Sequence, residues 1–374
     1  MADTTEVVIV GGGAAGCSVA YYLALAGVKS TIIEREGVAS QASGFSAGGL
    51  NPLQGTGIPG PLSEVAMESY LLHQDLFPTL KDTTGVDYEW RIISLIIAAF
   101  EQEGLPELHD TIDTFTAAEG FEAGTLDPAQ LQDLEPRISS EVVKAVVARG
   151  NASLDSYKYT LALVQAAKQM GASLRSGTVQ GIERSNGRAT GVVLDGGVLH
   201  CDTLVMATGP WSRIAERWMG TYIPVDPLKG EILRVELPGG PLGYDMSGGG
   251  GALYSKPDGL VWCGTTEEWR GYDKSTTESA RRSIVKGAVK LIPEVAQARL
   301  VSHTVCLRPV TPDWLPIIGR APGFDNAYLA TGAGKKGILL SPAIGKAIAD
   351  QITQGATQLP VGEFDPARFA SPLA

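Results

Sequence analysis

Gly11, Gly13 and Gly16 stand at the spacing G-x-G-x-x-G, and Glu34 closes the second apolar run behind them. Residues of these types at this spacing can hold a dinucleotide. Gly11 permits a tight turn, Gly13 leaves room for backbone to approach a pyrophosphate, and Gly16 lets a helix lie close on a sheet. Free N–H groups at the start of that helix, and the positive end of its dipole, would meet phosphate oxygens. A carboxylate at Glu34 can accept hydrogen bonds from ribose hydroxyls and would repel a 2′-phosphate, which argues against NADP. A second small-residue loop holds Gly332, Gly334 and Gly337, with Lys335 and Lys336 between them. An NAD enzyme has no need of it. A flavin enzyme can set the following helix N-terminus against the pyrimidine edge of the isoalloxazine, where negative charge collects on reduction. Taken locally, the same pattern is also that of a routine strand–helix unit capping a sheet.

The elements that must position these groups follow from periodicity. Val7 to Val10 is a β-branched run and predicts a buried strand. Ala14 to Ala26 predicts a helix closed by Gly27, and Lys29 to Ile33 a second strand. Ser40 to Gly57 (SQASGFSAGGLNPLQGTG) is rich in small residues and has neither period, which suits close backbone approach to a flat cofactor. Helices are predicted over Glu64–Leu80, Asp127–Leu134 (begun by Asp127-Pro128), Ser156–Gly171, Ser275–Leu291 and Gly337–Gln354, with Pro342 tolerable in the first turns of the last. Strands are predicted over Tyr88–Phe100, around Ala172–Arg184, over Gly191–Leu199 and over Ala327–Thr331. Thr203–Ser212 (TLVMATGPWS) is an apolar strand ending in Thr208-Gly209 with Trp211 beyond, as if the chain returns to the nucleotide unit. Val225–Thr266 alternates with glycines between and predicts an antiparallel sheet. The expected fold class is therefore α/β with a two-domain α+β organisation: a Rossmann-like domain carrying an inserted antiparallel-sheet substrate domain. Residues 1–80, 150–212 and 310–374 are assigned to the first, and residues 81–149 and 213–309 to the second.

Bulk properties exclude several classes. The chain has 374 residues, 44% of them hydrophobic, and a net charge of −11, so a nucleic-acid surface is not expected. Cys17, Cys201, Cys263 and Cys306 lie far apart and the four histidines do not cluster with them, so no metal site is expected and a reducing, cytoplasmic setting is. The first strand begins by Val7, which leaves no room for a signal peptide. The longest apolar run, Ile92 to Phe100, is too short to cross a bilayer. Oligomeric state is not legible.

The opening unit, SAGGL (46–50), ATGPWS (207–212), PLKGEIL (227–233), CLRPVTPDWLPIIG (306–319) and GAGKKGILLSPAIG (332–345) occur in one order over nearly the whole chain. Together they resemble the D-amino acid oxidase superfamily of FAD enzymes, with glycine oxidase and sarcosine oxidase the nearest in look. The resemblance implies FAD in an extended form. Ala14 and Ala15 would sit at the pyrophosphate, Glu34 and Arg35 at the adenosine. Ala42 and Ser43, then Ala47, Gly48 and Gly49, would lie along the pyrophosphate and ring. Val179 matches a position that contacts adenine through its backbone, and Gly209 and Trp211 join the cofactor set. Ala333, Gly334, Lys335, Lys336, Gly337, Ile338 and Leu339 match the loop and helix start beside the pyrimidine. Arg308 matches the arginine that pairs with substrate carboxylate, where a guanidinium fixes both orientation and charge. Lys336 matches a lysine that contacts substrate carboxylate, and Lys335 a basic residue near the pocket; either can instead serve the charge of the reduced flavin. The implied chemistry is hydride transfer from the carbon next to nitrogen to flavin N5. Hydrolysis of the imine then gives an oxo acid plus amine or ammonia, and oxygen or another acceptor reoxidises the flavin.

Two departures from that pattern carry expectations. Gly49, Gly250 and Ala252 stand where the family has larger pocket residues, Glu267 falls in the same region, and Gly248 to Gly251 is bare. A pocket larger than that of glycine oxidase is expected, for an amino acid or secondary amine with a carboxylate, unless Trp262 or Trp269 fills the space. Cys306 stands where covalent sarcosine oxidases carry their flavin-linking cysteine; a buried inert thiol is the commoner state of such a residue. Two alternatives stay open: the same fold run as a dehydrogenase that passes electrons to a quinone or other acceptor, and a non-catalytic nucleotide-binding protein.

Overall fold

A computed structural model describes residues 3–370; residues 1–2 and 371–374, at the ends of the expected nucleotide unit, lie outside it. Strand Asp3–Val10 lies between Ser30–Glu34 and Gly197–Met206, parallel to both. Its apolar run is buried on both faces, as central parallel strands require. Val7 and Ile9 pack under helices Ala14–Leu25 and Gly337–Gln354, while Val8 and Val10 face a second cluster with Met219, Ile223 and Phe324. Ser173–Ser176 continues the sheet beyond Ser30–Glu34. Gly197–Met206 divides its far edge: its first half pairs antiparallel with Arg188–Leu194, its second half parallel with Ala327–Thr331. Two glycines let helices lie this close. A Cβ on Gly16 would collide with the Gly11 carbonyl, and one on Gly345 with Ser18 of the facing helix.

A second sheet of eight strands runs in the order Arg299–Val310, Asp226–Glu236, Val261–Gly264, Gly251–Ser255, Asp245–Gly248, Leu95–Ala99, Lys144–Arg149, Glu122–Leu126. Neighbours pair antiparallel except Asp245–Gly248 with Leu95–Ala99, which are parallel. Alternation sorts the side chains. Leu233, Met246, Leu253, Val261 and Cys263 pack on helix Glu278–Leu291. Ile232, Ala252, Tyr254, Cys306 and Arg308 point the other way, into a cavity shared with the first sheet. A three-stranded sheet, Gly49–Leu50, Ala152–Ser153 and Arg91–Ile92, joins the two.

The sequence reading is corrected at several elements. Tyr88–Phe100 is two strands in different sheets, broken at Ile93-Ser94. The Ala172–Arg184 region is likewise two strands, Ser173–Ser176 and Gly181–Ser185. Helix Leu105–Ala117 was not expected; Pro106 in its first turn starts it, and Leu108, Thr111 and Phe115 bury one face. Residues Ala42–Phe45 form a helical turn inside the small-residue loop.

Candidate active site

The cavity, about 830 Å³, opens at the carboxyl ends of the first sheet's parallel strands, the usual ligand position in such sheets. Gly11, Gly13, Ala14 and Ala15 form one wall. Gly11 has φ +113°, and a Cβ there would collide with the Ala207 carbonyl, so only glycine makes this turn. Gly16 stands behind the wall as helix packing, and Leu339 is likewise core; neither lines the cavity. Helix Ala14–Leu25 begins at Gly13 with no side-chain cap of its own. Ser43 Oγ accepts from Ala14 N at 2.9 Å, and Glu34 Oε2 accepts from Gly12 N at 2.7 Å. Glu34, Arg35, Ala42, Ser43, Ala47, Gly48, Gly49, Val179, Gly209 and Trp211 all reach the cavity. The Arg35 guanidinium lies 4.1 Å from the Trp211 ring centre.

At the other end, Ala333, Gly334, Lys335, Lys336, Gly337 and Ile338 line the space, and helix Gly337–Gln354 also starts without a side-chain cap. Two helix starts whose N-cap residues supply no side-chain cap face one cavity, with a glycine wall at the first, and fit a dinucleotide carrying a flat ring. Lys336 Nζ donates to the carbonyls of Asn51 (3.0 Å) and Gln54 (2.5 Å), so its ammonium ties down the loop beside the cavity. Burial, with Lys335 adding repulsion, pulls its amine down to about 8. Lys335 pairs with Glu267 at 2.5 Å and lies over the Trp314 ring.

On the second sheet, Arg308 lies across Gly230, where a Cβ would collide with the guanidinium. Its Nη1 donates to Thr266 O at 3.1 Å, and no carboxylate pairs with it among the described residues. Tyr254 stands nearby, its phenol pKa raised by burial against the opposing pull of Arg308. Cys306 lines the cavity and burial raises its thiol.

Polar cavity residues that escaped the sequence reading include Tyr254, Asp245, Ser247 and Asn151. The period-two partnership of Tyr254 with Ala252 on one short strand was the available signal. Two expected pocket residues are displaced. Gly250 is exposed in the turn between Asp245–Gly248 and Gly251–Ser255, away from the cavity. The bare run is packing: a Cβ on Gly248 would collide with the Ala98 carbonyl, and one on Gly251 with the Gly287 carbonyl. Glu267 does not line the cavity but holds Lys335, which does. Neither Trp262 nor Trp269 lines it; Trp262 lies under the Arg234 guanidinium at 3.9 Å, and Trp269 is 60% exposed. Gly49 lines it, and a Cβ there would meet nothing within 4 Å.

Comparison with known proteins agrees with this geometry. The family model for FAD dependent oxidoreductases, DAO, matches residues 6–351. Glycine oxidase of Pseudomonas putida is 30% identical over 372 residues, 98% of each chain. The hydrogen cyanide synthase subunit HcnC of Pseudomonas aeruginosa is 29% identical over 415 residues, covering 99% of this chain and 97% of that one. The crystal structure of glycine oxidase from Geobacillus kaustophilus superposes with a TM-score of 0.91 at 26% identity, over 99% of this chain and 100% of that one. With two helix starts at the cavity, a glycine wall and these relatives together, the chain belongs to the DAO family of FAD-dependent oxidoreductases and is glycine oxidase-like.

Proposed function

We propose that the protein oxidises the carbon–nitrogen bond of an amino acid or N-substituted glycine, giving an oxo acid, an amine or ammonia, and hydrogen peroxide. Arg308 carries the reading: a guanidinium without a carboxylate partner among the described residues, on the sheet face that closes the cavity. Bound FAD supplies the two-electron acceptor. The cofactor would be held by the glycine wall, Ser43, Glu34 and the loop before helix Gly337–Gln354. Residues 1–80, 150–212 and 310–374 then serve the cofactor, and residues 81–149 and 213–309 the substrate.

Arg308 binds the substrate carboxylate through paired hydrogen bonds, and its place over Gly230 fixes the direction from which the carboxylate enters. Tyr254 offers a hydroxyl on the same face. A substrate amine that arrives without its ammonium proton needs no side-chain base. Open space over Gly49 and the short side chain of Ala252 favour a substrate bulkier than glycine. An oxygen electrode with the purified flavoprotein and a panel of glycine, sarcosine, D-amino acids and longer N-alkylglycines tests this. Oxygen uptake with equimolar peroxide, fastest for a bulkier member, is expected. Turnover only with an added quinone would replace the oxidase with a dehydrogenase, and a kcat/KM for glycine far above all others would refute the enlarged pocket.

A further inference from the structure

His73 and Ser69 are fully buried polar side chains on helix Ser63–Thr84, and the reading above assigns them no role. Both bond to helix Gly337–Gln354 near its start. His73 Nε2 donates to the Ile338 carbonyl at 2.9 Å. Ser69 Oγ donates to the Leu339 carbonyl at 2.6 Å and accepts from Ala343 N at 3.1 Å. A carbonyl only accepts, so the imidazole proton sits on Nε2. Nδ1 has no partner, and burial holds the ring pKa down to about 4, which keeps it neutral. A third buried group joins from helix Ser156–Gln169. Tyr159 OH lies 3.1 Å from Ser341 Oγ, which itself donates to the Ile338 carbonyl at 2.8 Å. The Tyr159 ring lies against His73, with ring centres 5.0 Å apart.

The reason for this cluster lies in Pro342. In a regular helix the carbonyl of residue 338 accepts from the N–H of residue 342. Pro342 has no N–H, so that rung is missing, and its ring crowds the same carbonyl. The turn before it, Gly337 to Ser341, is therefore joined to the helix body by a weakened ladder. His73 and Ser341 give the orphaned carbonyl two donors, and the Ser69 hydroxyl spans the two groups of the next rung. The turn held in this way is the one whose Gly337 and Ile338 line the cavity, with no side-chain cap from Lys336. Its unpaired N–H groups carry the positive end of the helix. That field falls off within a turn, so its effect on a flat ring depends on where the turn points.

The geometry points to His73, with Ser69, as a positioning residue for the flavin: across the Pro342 break it holds the helix start against the pyrimidine edge and so favours the reduced cofactor. The inference rests on the placement of the ring at this helix given above. Neither side chain lines the cavity, so both act through the helix.

The test uses the holoenzyme. Midpoint potential is read by spectroscopic titration against reference dyes, FAD retention from flavin released on dilution and filtration, and folding from Tm. His73→Phe keeps a ring and removes the donor. It should shift the balance between oxidised and reduced FAD about three- to tenfold toward the oxidised form, a fall of ~15–30 mV for a two-electron couple, with weaker retention. His73→Gln restores a donor at similar reach and should leave the potential close to the parent's. Pro342→Ala in the His73→Phe background returns the missing N–H to the Ile338 carbonyl and should recover most of the shift, a rescue that a space-filling role does not allow. Ser69→Ala should lower the potential in the same direction, and it carries the test if His73→Phe fails to fold. A lower Tm with an unmoved potential in both His73→Phe and Ser69→Ala overturns the inference. So does an equal fall in His73→Phe with and without Pro342→Ala. Lys335→Gln, which removes a charge at the cavity, separates this inference from the placement beneath it. If it lowers the potential while His73→Phe and Ser69→Ala do not, the ring lies at this loop and the positioning role alone fails. If none of the three moves the potential, the placement of the ring falls as well.

Discussion

At the scale of single residues, Arg308 and Lys336 divide the positive charge of the cavity into two jobs. Arg308 keeps donors free, whereas Lys336 has spent its donors on loop carbonyls. Arg308→Ala should raise KM for amino-acid substrates about 10- to 100-fold, the worth of a lost charge-assisted pair, and Arg308→Lys should recover only part of that. Steady-state kinetics with circular dichroism to verify folding would show it; an unchanged KM would remove Arg308 from the carboxylate site. Lys336 titrates near 8, so its charge is full below that pH and lost above it. KM for an anionic substrate should climb between pH 7 and 9, and Lys336→Met should flatten that climb. Cys306 is a half-buried thiol on the cavity wall whose pKa desolvation raises above the ordinary value, so little thiolate exists to attack a cofactor. Acid precipitation should therefore leave a colourless pellet under a yellow supernatant; a yellow pellet would mean a covalent bond.

At the scale of elements, the glycines fall into two kinds that sequence alone did not separate. Gly11 shapes the cofactor wall through its positive φ, and Gly11→Ala should abolish FAD retention, measured as flavin per protein. Gly251 serves packing between a hairpin and helix Glu278–Leu291. Gly251→Ala should cost about 1–3 kcal/mol, seen as a lower Tm, with substrate preference unchanged. The bare Gly248–Gly251 run reads equally as an emptied pocket or as a close crossing, because a missing side chain looks the same in both. Only the facing Gly287 backbone decides between them. Helix Leu105–Ala117 was hidden for a related reason: much of its surface is polar and exposed, so few apolar positions advertise its period. By contrast, the Val7–Glu34 unit was legible to within a residue at each boundary except the first, where the strand starts four residues earlier at Asp3, because strand, glycine turn, helix and acidic end all point the same way.

At the scale of the molecule, the first sheet was legible from local signals, and the pairing of the second was not. Its strands come from residues 95–149 and 226–310, and the parallel contact between Leu95–Ala99 and Asp245–Gly248 joins segments about 150 positions apart. No local pattern encodes that contact, yet both of its strands contribute to the cavity wall, through Leu95 on one and Asp245 and Ser247 on the other. A buried charge cluster braces the opposite face of this sheet. Lys229 Nζ lies 2.7 Å from Asp273 and 3.4 Å from Glu231, and Glu231 accepts from Thr277 N at 2.9 Å and lies 2.7 Å from His303. These contacts fix the segment after Gly264, which supplies the Thr266 carbonyl to Arg308 and Glu267 to Lys335. Through that segment, the sheet's far face and the cavity form one structural unit.

The central claim is amino-acid oxidation at the Arg308 face, and anaerobic titration of the purified yellow protein tests it most directly. Glycine, sarcosine, D-amino acids and longer N-alkylglycines would be added in turn while the visible flavin band is followed. The account predicts bleaching by a carboxylate-bearing amine, strongest for a member bulkier than glycine, and loss of that bleaching at the same concentration in Arg308→Ala. A flavin band that no amino acid or N-alkylglycine bleaches would contradict it.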